Sequence, residues 1–272
     1  MILASWRLLA RSIRNADVVV EVVDIRDPVS TRSRRVESMA EALGKELLIV
    51  LNKADLVPRG VAEKWKRIIE GQGYEVLYVS STRRLGTRML RGAIKAIAPV
   101  KPFSVAVVGY PKTGKSSVIN ALRGRRGAST SPIPGSPGYT KGLQLLKIEP
   151  GFYMIDTPGV IPVEGGYPEA LIRGKPPEEL QDPVEPAAAL VRKILRYNPR
   201  AFKQAYGIEE RDPYGIMEAL ARRRGWRYRR TGEPLIEEAA RTIIRDYHRA
   251  VIPFYVPPEA YVAEQSPKRL KQ

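Results

Sequence analysis

The chain has 272 residues, 43% of them hydrophobic, with no cysteine and a single histidine. This length allows one large domain or two smaller ones, and the composition excludes disulfides, thiolate metal sites and a histidine-built metal centre or triad. Lys and Arg number 46 against 29 acidic residues, a formal net charge of +17. So one-sided an excess favours a polyanionic partner over a surface that is merely rich in charge.

No apolar run reaches the roughly 18 residues that a membrane span needs. The longest, 18–23, is interrupted by Glu21. The N-terminal segment carries Arg at helical spacing in place of a long apolar stretch, which predicts an amphipathic first helix in a cytoplasmic protein. Strands are then predicted at 18–24, 46–52, 75–80, 103–109, 143–148 and 152–156. Helices are predicted between most of them, at 31–43, 60–71, 86–97 and 115–123. Such alternation predicts an α/β fold with a mainly parallel sheet covered on both faces. Four strands end in Asp24, Asn52, Gly109 and Asp156, at the edge where ligands bind in such sheets. Pro176, Pro177, Pro183 and Pro186 mark a linker. Beyond it only helical patterns follow, at 186–196, 199–206, 213–224 and 234–250, several opened by Pro. A domain of residues 1–175 and a helical, basic domain of 176–272 are therefore expected.

Residues Gly109, Tyr110, Pro111, Lys112, Thr113, Gly114, Lys115 and Ser116 fit the pattern G-x-x-x-x-G-K-[ST], between a predicted strand and a predicted helix that continues through Ser117. In that context the glycines let the backbone curl around phosphate oxygens, and the helix start adds a favourable dipole. Lys115 would reach the β- and γ-phosphates and the Ser116 hydroxyl would ligate Mg²⁺. Asp156, two residues before Pro158 and three before Gly159, follows the last strand; the carboxylate suits Mg²⁺ and the Gly159 N–H a γ-phosphate. Thr140 lies in a Gly/Pro-rich stretch, 128–142, where it would complete the metal shell as a switch residue. Asn52, Lys53, Ala54 and Asp55 close the second strand. A carboxylate there accepts two parallel hydrogen bonds from guanine that adenine cannot offer, so Asp55 selects GTP over ATP. Asn52 would brace the site and the Lys53 stem would cover the base. Ser80 and Ser81 end the third strand, and the Ser81 N–H is expected on the guanine O6.

An ordinary small GTPase presents phosphate loop, switch Thr, Asp-x-x-Gly, Asn-Lys-x-Asp and then the Ser loop. Here the last two come first, which is circular permutation. With Asp24-Ile-Arg-Asp-Pro after the first strand, the Pro137-Gly-Tyr-Thr-Lys-Gly segment, and Arg222-Arg-Arg-Gly-Trp and Glu237–Tyr247 near the end, the chain resembles the circularly permuted ribosome-assembly GTPases of the YlqF/YawG group. The resemblance implies GTP hydrolysis coupled to maturation of the large ribosomal subunit, with GTP/GDP and Mg²⁺ as ligands. It also implies rRNA binding by the basic helical domain. The expected partners are the large ribosomal subunit and its rRNA, with no membrane, no DNA and a monomeric protein. Charge alone leaves open a switch acting on a protein or membrane partner.

Three features depart from expectation. Val160 follows Gly159 where Ras-like proteins carry the Gln that orients the attacking water, which implies slow intrinsic hydrolysis. Lys112 stands where many relatives have an Asn that helps hold K⁺; its ammonium is expected in the place of that ion, which makes a K⁺ requirement doubtful. The Pro-Gly-His-Met segment of bacterial relatives does not occur, and His248 is expected at a helix surface or docking face. The basic groups Arg222, Arg223, Arg224, Arg227, Arg229 and Arg230, with Tyr228 beside them, are expected on RNA, and Trp226 in the core. Arg123, Arg125 and Arg126 form a second group, and Arg32, Arg34 and Arg35 a third, on the surface or on RNA.

Overall fold

The structure is a computed structural model and describes residues 6–124, 145–155, 161 and 168–265. The chain divides into two compact units, Met1–Val163 and Glu164–Gln272.

The first unit is built on six strands: β1 (Val18–Asp24), β2 (Glu46–Asn52), β3 (Glu75–Tyr78), β4 (Phe103–Val108), β5 (Leu145–Glu149) and β6 (Phe152–Ile155). Their order is β3-β2-β1-β4-β6-β5. All neighbours run parallel except the β5–β6 pair, which is antiparallel. That hairpin follows from its short connection, since parallel neighbours need a crossover. β1 is buried at every position, as a central strand covered on both faces must be.

The alternation of β1 side chains divides the core. Val18, Val20 and Val22 join Leu48, Val50, Val105 and Val107 under helices Thr87–Ile97 and Lys115–Arg123. Val19 faces the other way, with Leu9, Ile13, Val36 and Ala40 from helices Trp6–Asn15 and Arg34–Ala42. The predicted helix at 31–43 is broken in two, Pro28–Thr31 and Arg34–Ala42. Arg32 is extended, and Ser33 caps the second helix by accepting from the Val36 N–H. Arg32, expected on the surface or on RNA, is instead buried, donating to Glu37 and Gln72. Arg34 pairs with Glu37, and Arg35 stacks on Trp6 at 4.0 Å.

In the second unit helices Val184–Tyr197, Ala201–Tyr206, Pro213–Arg223 and Ile236–His248 follow the prediction closely. Helices Glu169–Gly174 and Pro258–Gln265 were not predicted. The first of these explains why this unit begins ahead of the proline-rich linker. Its Arg173 is fully buried and donates to the Tyr247 hydroxyl at 3.0 Å. His248, expected at a helix surface or docking face, is partly buried, and its Nε2 lies 2.7 Å from the Ile172 carbonyl within the same unit. Among the described residues no helix is long and apolar enough to cross a membrane.

Glu21 is the one carboxylate inside β1's apolar run. Its Oε1 accepts the Ser33 N–H at 2.6 Å, while Oε2 and Arg32 Nη2 are buried without a hydrogen-bond partner. Burial, and then the charge of Glu37, push the Glu21 carboxyl up from 4.5 to about 8. An acid raised in the fold stabilises it fully below its ordinary value, and that stability drains away as pH climbs toward 8. Glu21→Gln should remove this dependence. Urea unfolding at pH 5 and pH 8.5 should show the natural chain losing roughly 2–5 kcal/mol more than the variant; equal losses would contradict the account.

Candidate functional site

The order of strands reverses at β1. From it the chain runs outward through β2 to β3, then returns to β4 on the other side. The crevice at the carboxyl ends of β1 and β4 is therefore the topological switch point, where open α/β sheets bind ligands. The phosphate-loop sequence starts there, directly after β4.

Its glycines are fixed by contact as well as conformation. A Cβ on Gly109 (φ 156°) would lie 2.6 Å from the Val22 carbonyl of β1, and one on Gly114 (φ 93°) would lie 2.2 Å from Asn52 Nδ2. Lys112 is left-handed too, at φ 67°, which costs a non-glycine residue about 1–2 kcal/mol. Thr113 is fully buried and its hydroxyl donates to the Tyr110 carbonyl at 2.9 Å, which cinches the loop. The helix Lys115–Arg123 then starts at Gly114. Its first-turn N–H groups, those of Lys115, Ser116 and Ser117, point out of the helix end, the geometry that suits phosphate. Ser116 and Ser117 are exposed there.

The Asn-Lys-x-Asp turn lies against this loop. Asn52 Nδ2 donates to the Thr113 carbonyl at 3.0 Å. Lys53, left-handed at φ 66°, turns the chain back so that its Nζ donates to the Lys112 carbonyl at 2.7 Å and to Asp24 at 2.6 Å. Asp55 sits in the one-turn helix Ala54–Leu56, held by the Ala54 N–H on the Val79 carbonyl at 3.0 Å. The Asp55 carboxylate has one distant cation, Arg83 Nε at 4.0 Å. The two segments read separately from the sequence thus meet in one cleft.

Four of the expected site residues have partners within the protein. The Ser81 N–H and hydroxyl both donate to Asn52 Oδ1, at 3.2 and 2.7 Å. Ser80 is buried and accepts from the Arg83 N–H, so both serines brace the turn. The Tyr110 side chain belongs to the core beside Leu9, Val36 and Ile161; Pro111 is buried as well. Both serve the loop through their backbone. Lys112 keeps an exposed side chain. Thr140, Asp156, Gly159, Val160, the stretch 128–142 and Arg125 and Arg126 lie outside the described residues.

The sequence marked Asp24 as a strand end and the Asp24-Ile-Arg-Asp-Pro segment as a point of resemblance, but not the pairing of Asp24 with Arg26, which is buried and joined by Lys53. An Asp closing an apolar strand was visible, but nothing local pointed to its partners.

In the helical unit, Gly225 ends the helix Pro213–Arg223 and a short hairpin follows, 226–235. The Tyr228 N–H donates to the Glu233 carbonyl and the Leu235 N–H to the Trp226 carbonyl, at 2.9 and 3.0 Å. Trp226 is only half-buried where core was expected, and Tyr228 is 46% exposed. Arg222 pairs with Glu218 and Arg223 donates to the Gly207 carbonyl. Among the described residues Arg227, Arg229 and Arg230 are exposed and carry no ion pair.

Residues 7–164 match the RsgA GTPase family. An uncharacterised GTP-binding protein of Methanocaldococcus jannaschii is 34% identical over 253 residues, 92% of this chain and 66% of the relative. Nucleolar GTP-binding protein 2 of Saccharomyces cerevisiae is 32% identical over 97% of this chain and 55% of its own length. The chain thus spans less than two thirds of either curated relative. The fold is similar to that of GNP-bound YlqF from T. maritima, with a TM-score of 0.66 and 26% identity over 93% of this chain and 97% of that one. Its GDP-bound form gives a TM-score of 0.64 and 25% identity over 91% and 97% of the two chains. With the family match over most of the α/β unit, the permuted motif order and the fold of YlqF, this chain belongs to the RsgA GTPase family.

Proposed function

We propose that the chain binds GTP, hydrolyses it to GDP and phosphate, and serves as a nucleotide switch in assembly of the large ribosomal subunit through contacts with rRNA. The observation that carries the nucleotide part is the joining of the Asp55 turn to the phosphate loop by the Asn52–Thr113 and Lys53–Lys112 hydrogen bonds. A purine held by Asp55 then lies within reach of phosphates held at 109–117. The cradle fits such a ligand, since the spaces at Gly109 and Gly114 admit backbone but no side chain.

Each residue has a distinct task. Asp55 accepts from the guanine N1 and N2 hydrogens, and the Lys53 stem flanks the ring. The backbone of Lys112, Thr113, Gly114, Lys115, Ser116 and Ser117 surrounds the phosphates, Lys115 neutralises them, and Lys112 supplies a tethered cation beside them. Ser116, Thr140 and Asp156 are the residues that would hold Mg²⁺, which screens the phosphate charge when bound. Gly159 offers its N–H to the γ-phosphate. Val160 cannot orient water, so intrinsic hydrolysis is slow and a ribosomal partner accelerates it.

The RNA part rests on the net charge of +17 and on the hairpin 226–235, whose Arg227, Arg229 and Arg230 are exposed and carry no ion pair among the described residues. The relatives named nucleolar GTP-binding protein 2 point to the same setting.

Three measurements test this reading. Asp55→Asn replaces an acceptor pair by an amide that donates to the C2 carbonyl of xanthine. Competition binding should then show guanine-nucleotide affinity down about 100-fold and xanthine nucleotide preferred; unchanged guanine binding would remove the base contact. Single-turnover hydrolysis should be slow alone and at least about tenfold faster with purified large ribosomal subunits, whereas a fast unstimulated rate would sink that half of the reading. Binding to rRNA fragments should weaken steeply with salt, and replacing Arg227, Arg229 and Arg230 by Ala should flatten the log–log slope by roughly two to three. A slope unmoved by the triple variant would shift the reading to a protein or membrane partner.

A further inference from the structure

Asp24 is the last residue of β1 and stands directly opposite Asn52, the last residue of β2. It is 1% exposed, as is Arg26. Its Oδ1 accepts the Arg26 N–H and Nε, both at 3.1 Å, and its Oδ2 accepts Arg26 Nη2 at 2.8 Å and Lys53 Nζ at 2.6 Å. The two oxygens therefore receive the Arg26 backbone N–H and three bonds from two cations. The pairing of Nε and Nη2 with the two oxygens is the planar fork that only arginine makes, and it fixes the rotation of the carboxylate.

The consequence runs outward through Lys53. Its Nζ is shared between Oδ2 of Asp24 and the carbonyl of Lys112. Lys53 and Lys112 are both non-glycine residues in left-handed backbone, at φ 66° and 67°, a strained state that persists only where surroundings over-determine it. A rotating ammonium on a four-carbon stem does not over-determine anything by itself. A buried carboxylate whose own orientation is clamped by a guanidinium does, because it leaves the ammonium one place to stand. The carboxylate also offsets one of the two positive charges, so Lys53 is not driven away by Arg26.

We propose that Asp24 and Arg26 are positioning residues for the nucleotide: the Arg26–Asp24 pair sets the Lys53 ammonium, which in turn holds the phosphate loop open-armed at Lys112. The inference rests on the nucleotide-binding reading above and adds the element that shapes the loop before any ligand arrives. A buried pair that merely secured the 24–33 segment would alter stability and leave nucleotide affinity per folded molecule untouched.

The test uses the full chain and titration calorimetry with GDP, well below each variant's melting temperature. Asp24→Asn should weaken GDP binding about tenfold, with the preference for guanine over adenine nucleotides retained because Asp55 is intact. In a Lys53→Met background the same change should have less than about a twofold further effect, since its route is already cut. Arg26→Lys, which keeps the charge but loses the fork, should weaken GDP binding in the same background-dependent way, and it carries the test if Asp24→Asn does not fold. Folded variants that bind GDP like the natural chain, or effects that multiply with that of Lys53→Met, would overturn the proposal. A natural chain that binds no guanine nucleotide would instead overturn the functional reading beneath it.

Discussion

The cleft hangs on one side-chain amide. Asn52 closes β2, donates through Nδ2 to the loop after β4, and accepts through Oδ1 from the loop after β3. It is 3% exposed, so each of these bonds replaces water that no longer has access, and losing either partner would leave a buried polar atom unmet, at about 1–3 kcal/mol. The amide also dictates its neighbour's identity: its Nδ2 occupies the volume where residue 114 would carry a Cβ. Glycine at 114 is required twice, by backbone conformation and by the presence of Asn52.

This geometry explains why motif order is free to change. A site at the carboxyl edge of a parallel sheet is assembled from strand ends lying side by side. What matters is that β2, β1 and β4 are neighbours in the sheet, not which of them the ribosome made first. In this chain the Asn-Lys-x-Asp turn follows β2, and the G-x-x-x-x-G-K-[ST] loop follows β4. The ion pair of Asp24 with Arg26 and Lys53 lies at the seam between them, where the strand order reverses. Asp24 and Arg26 are buried at that seam, which is costly unless the charges are paired and hydrogen-bonded. The fork between them and the Lys53 ammonium supply that pairing.

The helical unit follows a different logic. One of its helices, Pro213–Arg223, starts at a side-chain cap: Asp212 accepts from the Gly215 N–H, with Pro213 in the first turn. The helices of this unit bury Ile194, Leu220, Ile243 and Ile244. The hairpin 226–235 is held by backbone hydrogen bonds and by the Glu233 N–H on the Thr231 hydroxyl, while Arg227, Arg229 and Arg230 stay exposed. Trp226 at its base is half in and half out, the usual state of a large ring with a polar edge.

Local pattern determined much of this protein. Strand β2 and helix Lys115–Arg123 fall where apolar runs and their flanking residues put them, because β-branched runs and a glycine before a helical stretch act within a few residues. The phosphate loop, the Asn-Lys-x-Asp turn and their permuted order were equally readable, since each is contiguous and chemically distinctive. Tertiary structure decided what depends on residues far apart in the chain. The helix expected at 31–43 splits because Glu21, twelve positions earlier, takes the Ser33 N–H. Ser81 turns its N–H to Asn52, 29 positions away. Tyr110 and Pro111 look like ligand contacts inside a motif but are buried, Tyr110 against a helix from the chain's start. Burial and hydrogen-bond partnership are properties of neighbours in space, and no window of sequence contains them.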